Sequence, residues 1–120
     1  MSIKMLAKKY DAGRGTKKNP TEATRWIRQA AESGTTQAMT SLGWRYINGT
    51  GVKNEDSEGV YWFRKAADAG FIDAFGMIGW CYENGRGVPK DTVRAADWYT
   101  KAVAAGDDGA KEGLKRLGKK

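Results

Sequence analysis

The stretch Tyr61-Trp62-Phe63-Arg64-Lys65-Ala66-Ala67-Asp68-Ala69-Gly70 decides the fold, because its tryptophan, its alanine and its closing glycine return along the chain at one interval. Trp26, Trp62 and Trp98 lie 36 residues apart, and so do Ala30, Ala66 and Ala102, and Gly34, Gly70 and Gly106. Working outward, the same interval relates Tyr10, Tyr46 and Tyr82, then Gly13, Gly49 and Gly85, then Gly15, Gly51 and Gly87. Leu6, Leu42, Ile78 and Leu114 carry it into a fourth, partial copy. A fixed period between about 20 and 50 residues is the mark of a stacked-repeat architecture.

Each unit reads as two helices. Ala38, Leu42 and Tyr46, and again Val60, Phe63 and Ala67, recur at three- and four-residue spacing, and no strand-like alternation is present. Gly49-Thr50-Gly51 and Gly85-Arg86-Gly87 end the first helix of a unit. The second helix starts at a polar cap: Asn19-Pro20-Thr21-Glu22 places Asn at N-cap, Pro at N1 and Glu at N3. Asp91 takes the equivalent place in the third unit, and in the second Asn54 is expected to stand in for the poorer cap Glu55. A lone helix pair of this length cannot bury its apolar stripe, so the units must stack. Gly43 and Gly79, with Ala7 as their first-unit counterpart, are the expected points of close approach, with the three tryptophans as bulk.

The expected fold class is an all-α solenoid of one domain spanning 1–120, with units of about 1–34, 35–70 and 71–106 and a capping helix over 107–118. That makes seven helices. Asp107 and Asp108 are read as caps at the start of the last one.

The strings 41–52 (SLGWRYINGTGV) and 61–70 (YWFRKAADAG) resemble the two halves of a Sel1-like repeat, as do 78–91 (IGWCYENGRGVPKD) and 95–102 (AADWYTKA). The first unit departs from the pattern at Ala7 and Thr16. The resemblance covers nearly the whole chain. It implies a curved α/α solenoid related to tetratricopeptide repeats, used as an adaptor or scaffold in bacterial signalling, secretion and complex assembly.

Composition removes most chemistry. The 120 residues contain no histidine and a single cysteine, Cys81, so neither an imidazole-based catalytic group nor an internal disulfide is available. No catalytic residue, metal ligand or cofactor is expected. Cys81 shares a column with Lys9 and Arg45, which implies an exposed position and an unreactive thiol. Gly13-Arg14-Gly15 and Gly85-Arg86-Gly87 lack the Lys-Ser/Thr of a phosphate-binding loop. No apolar run is long enough to span a bilayer and no secretory leader is evident, which points to the cytoplasm.

The net charge is +7, and residues 1–30 hold eight Lys/Arg against two acidic residues. Lys4, Lys8, Lys9, Lys17 and Lys18 form a basic patch suited to an acidic partner, or simply to a solvated helix face. Only Tyr10 interleaves with them, which argues against nucleic acid.

In helix-pair solenoids the first helices line the concave groove. Register places Lys8, Trp44, Trp80 and Arg116 in one column of that face and Asn48 and Asn84 in another. Two readings stay open. Trp44 and Trp80 are aromatic anchors, with Lys8 and Arg116 gripping acidic groups and the asparagines bonding a peptide backbone; or the tryptophans fill space between first helices and the asparagines end them. The function expected is noncatalytic binding of a protein or peptide by a monomer or weakly self-associating chain. The alternatives are an immunity or inhibitor protein, a self-associating scaffold, and, least favoured, an enzyme acting on a cell-wall-type ligand.

Overall fold

The computed structural model describes residues 19–118. Six helices occupy them: α1 (Pro20–Glu32), α2 (Thr36–Asn48), α3 (Asp56–Asp68), α4 (Ile72–Asn84), α5 (Thr92–Ala104) and α6 (Ala110–Arg116). No strand is present among the described residues. The first of the seven expected helices falls on residues outside the described ones. α1, α3 and α5 are second helices of a unit, and α2, α4 and α6 are first helices. Each packs on the next in sequence, giving two rows in a body of 47 × 26 × 22 Å.

The caps follow the sequence in part. Asn19 Oδ1 accepts from the Glu22 amide at 3.1 Å, and Asp91 Oδ1 accepts from Val93 and Arg94 amides, each at 3.0 Å. Asn54 does not cap α3 as expected. Its Nδ2 donates backwards to the carbonyls of Tyr46 and Ile47, at 2.9 and 2.5 Å, so it satisfies the orphan acceptors at the end of α2. Asp107 likewise acts ahead of α6: it accepts from the Gly109 amide at 3.1 Å, and the helix starts at Ala110, later than the 107 of the sequence reading.

Leu42, Phe63 and Ile78 are the large, fully buried core side chains, set among the alanines of the repeat, Ala66 and Ala102 foremost. The glycines at 43 and 79 do mark close approach, but the partner is the residue after each tryptophan. A Cβ on Gly43 would lie 2.5 Å from Phe63 Cε1, and one on Gly79 would lie 2.9 Å from the Tyr99 ring. Trp62 is buried, while Trp26 and Trp98 are half-buried against the same core.

In the two described Gly-x-Gly turns the second glycine joins successive units. Gly51 and Gly87 have φ of +72° and +76°, and a Cβ on them would meet Pro20 O at 2.2 Å and Asp56 O at 2.5 Å. These carbonyls belong to the first turn of α1 and α3, so the turn of one unit is pressed onto the second helix of the unit before. No side chain fits there.

Cys81 is not exposed, contrary to the reading of its column. Cys81 and Arg45 are both buried, at 0% and 8% exposure. The column faces the preceding second helix, and Arg45 meets its needs internally, donating to Thr24 Oγ1 at 2.9 Å and Pro20 O at 3.4 Å. Burial lowers the pKa of Arg45 and pushes the Cys81 thiol up to about 12. The thiolate needed for nucleophilic or metal chemistry is therefore absent at neutral pH.

Candidate functional site

The geometry of the first-helix row starts from the equivalence of Trp44 on α2 and Trp80 on α4. Their rings meet edge to face, with centroids 5.1 Å apart at 62°, and Trp44 makes a second such contact with Phe63 at 5.0 Å. Both indoles are half-buried. They form the seam between neighbouring first helices and still show part of their surface to solvent.

Arg86, the middle residue of Gly85-Arg86-Gly87, holds this seam from the side. Its Cζ lies 5.7 Å from the Trp80 ring centroid. Its Nε and Nη2 bind the Asp56 carboxylate at 2.8 and 3.2 Å, and Nη2 donates to Ile47 O at 3.0 Å. One guanidinium thus ties the end of α2, the start of α3 and the aromatic face of α4. Sequence reasoning set the residue aside with the phosphate-loop reading; its register partner Thr50 gave no hint of the role.

Asn84 Nδ2 donates to Trp80 O at 2.9 Å, closing its own helix. Asn48 is exposed and its side chain makes no hydrogen bond among the described residues. Lys4, Lys8, Lys9, Lys17 and Lys18 lie outside the described residues.

At the C-terminal end the chemistry changes. The positions that hold Ile47, Phe63 and Trp80 hold Glu83, Tyr99 and Arg116 one unit later. Arg116 Nε and Nη2 bind Glu83 Oε2 and Oε1 at 2.9 and 3.0 Å, and Tyr99 donates its hydroxyl to Glu83 Oε1 at 2.6 Å. The bond from Arg116 holds the Glu83 carboxyl below the usual range, with the Tyr99 hydroxyl assisting. Burial, and then the neighbouring Glu83, raises the Tyr99 phenol. Arg116 is thus already engaged by a carboxylate of its own chain. Glu83 and Tyr99 were missed in the sequence, although Tyr99 breaks a column otherwise held by Ile27 and Phe63, and Glu83 follows Ile47 in its own.

Asp56 is depressed in the same way, first by its bond from Arg86. Both carboxyls titrate lower in the folded chain than in the unfolded one, so the stability they confer is present above their ordinary values of 3.8 and 4.5. It is lost as the pH falls through the lower folded values. Thermal melts between pH 6 and pH 2.5 are expected to show the midpoint falling mainly below pH 4.5, with a shallower acid limb in Glu83→Gln. An acid limb of unchanged slope in that variant contradicts the assignment.

Among the described residues no group of three or more His, Cys, Asp or Glu could hold a metal ion, and no helix is long and apolar enough to cross a membrane. What the row offers is shape, aromatic surface and hydrogen-bonding groups on paired helices.

Three copies of the Sel1 repeat match the chain, over residues 2–35, 36–71 and 76–107. The chain belongs to the Sel1 repeat family. Its solved relatives include a Sel1 repeat protein from Oxalobacter formigenes, 43% identical, with a TM-score of 0.80 over 95% of this chain and 86% of that one. A protective antigen of uropathogenic Escherichia coli strains displaying an SLR fold is 35% identical, with a TM-score of 0.88 over 96% of this chain and 25% of that one. Cysteine rich protein B of Helicobacter pylori shares the fold at 21% identity and a TM-score of 0.73, over 94% and 92% of the two chains. No curated protein sequence matches. Sel1 repeats are in general protein-interaction scaffolds, and the α/α solenoid seen here is the architecture they use.

Proposed function

We propose that this Sel1 repeat domain is a noncatalytic adaptor whose first-helix row is a concave docking face for a protein or peptide, centred on Trp44 and Trp80. The observation that carries the reading is the half-buried indole pair, 5.1 Å between centroids, fixed between Phe63 and Arg86. Rigid aromatic groups that keep exposed surface lose little entropy on binding and are the commonest binding hot spots. Asn48, Asn84, Gln37 and Ser41 are exposed on the same two helices and supply hydrogen bonds beside the rings. Arg116, tied to Glu83, closes the face with a neutral pair; Lys8, at the equivalent position of the sequence, lies outside the described residues.

A bacterial setting is supported by relatives from Oxalobacter formigenes and Escherichia coli. The Cys81 thiol is buried and the chain has no histidine, so neither a thiol nucleophile nor an imidazole base is offered to a ligand at the indoles.

The test is quantitative cross-linking of partners from native lysate by the wild-type chain, Trp80→Ala, and the Trp44→Ala/Trp80→Ala double variant, each checked by far-UV circular dichroism. Loss of the same partner set from both folded variants is the expected result. An unchanged set with either folded variant removes the face from the proposal.

A further inference from the structure

Two groups of cations stand out among the described residues. Arg25, Arg86, Arg94, Lys111, Lys115 and Arg116 each hold a carboxylate of the chain. Arg28, Arg64, Lys65 and Lys101 hold none. These four lie on the second helices α1, α3 and α5, and each is seated on an aromatic ring.

Arg64 Cζ lies 5.8 Å from the Trp98 ring centroid, and Lys101 Nζ lies 5.0 Å from it and 5.3 Å from that of Phe75. Lys65 Nζ sits 5.8 and 5.9 Å from the Tyr61 and Trp62 centroids, and Arg28 Cζ 5.4 Å from that of Tyr46. Both arginines are also fixed by neutral acceptors: Arg28 donates to the Tyr46 hydroxyl, and Arg64 Nη2 to the Tyr82 hydroxyl at 2.8 Å. The rings and hydroxyls hold the side chains in place without cancelling their charge. Arg64, Lys65 and Lys101 remain exposed.

We infer that this ridge on the second-helix row is a second docking surface, selective for a partner protein segment carrying spaced Asp or Glu side chains. Complementarity of charge carries the inference: positioned cations with no carboxylate of their own favour an acidic partner. Prior seating of Arg64 lowers the entropy lost when a carboxylate arrives. Glu32, Asp68 and Asp97 are exposed on the same three helices and pair with none of the four cations. The surface is independent of Trp44 and Trp80, which lie on the other row.

The experiment is fluorescence anisotropy of a labelled peptide of alternating Glu and Gly at low and at physiological salt. It compares the wild type with Arg64→Gln/Lys101→Gln and with the charge-matched Lys53→Gln/Lys90→Gln, both of whose targets are exposed. The ridge variant is expected to weaken binding about tenfold and the control less than about twofold, with affinity falling as salt rises. Equal losses in the two variants, or none in the ridge variant, overturn the inference. So does tighter binding of a single-stranded oligonucleotide than of the peptide. If Arg64→Gln/Lys101→Gln does not fold, Lys101→Gln alone, whose side chain makes no hydrogen bond, must weaken the peptide more than Lys53→Gln does.

Discussion

Phe63→Ala is expected to lower the unfolding free energy by roughly 3–5 kcal/mol, read from the urea midpoint with the denaturant slope unchanged. The ring is fully buried, meets Trp44 edge to face, and closes on the backbone of α2 at Gly43 so tightly that a Cβ there would stand 2.5 Å away. Removing it leaves a void with a glycine on one side, where no neighbouring side chain can move in. A domain of this size has about 5–15 kcal/mol in total, so the variant is left near the edge of folding. A loss below about 1 kcal/mol would mean that α2 and α3 are held by something other than this contact. Phe63→Tyr is also informative. The same position in the next unit is Tyr99, whose hydroxyl reaches Glu83, but the residue facing position 63 in that register is Ile47, which offers no acceptor side chain.

The second large effect is expected from Gly87→Ala. A φ of +76° costs a non-glycine residue about 1–3 kcal/mol, and the added Cβ would lie 2.5 Å from Asp56 O, forcing a backbone shift worth about as much again. The expected loss is therefore roughly 2–5 kcal/mol. Because the shift pushes the turn away from the start of α3, it also disturbs the Arg86–Asp56 pair. Gly34→Ala is the comparison: its φ of +101° is equally unfavourable, but a Cβ there has open space. A loss at Gly87 no larger than at Gly34 would show that close approach contributes nothing.

The fold was legible because the 36-residue period fixes where each helix begins and ends, and the residues doing that work act locally. Asn19 and Asp91 cap through amides two or three residues away, so a single sequence contains the whole interaction. Trp44 and Trp80 were legible as a shared column for the same reason. What escaped was whatever depends on a residue far along the chain. Arg45 was read as exposed because arginine usually is, yet its guanidinium is met by Thr24 and Pro20. Arg116 was read as open to acidic groups, and Glu83, 33 residues earlier, already holds it. Asn54 serves the helix behind it, a choice that local spacing cannot distinguish from serving the helix ahead. Register predicts which positions are equivalent; it does not reveal when one unit replaces an apolar trio by an ion-paired one.

Arg86 grips the end of α2, the start of α3 and the ring of Trp80 with one rigid planar group. Bending the array at the junction of its second and third units would therefore strain the Arg86–Asp56 pair and the Arg86 contact with the Trp80 ring together. A ligand that straightens or tightens the array is expected to change the surroundings of the Trp80 indole even when it touches neither ring, and so to shift one part of the summed emission of the chain's five tryptophans.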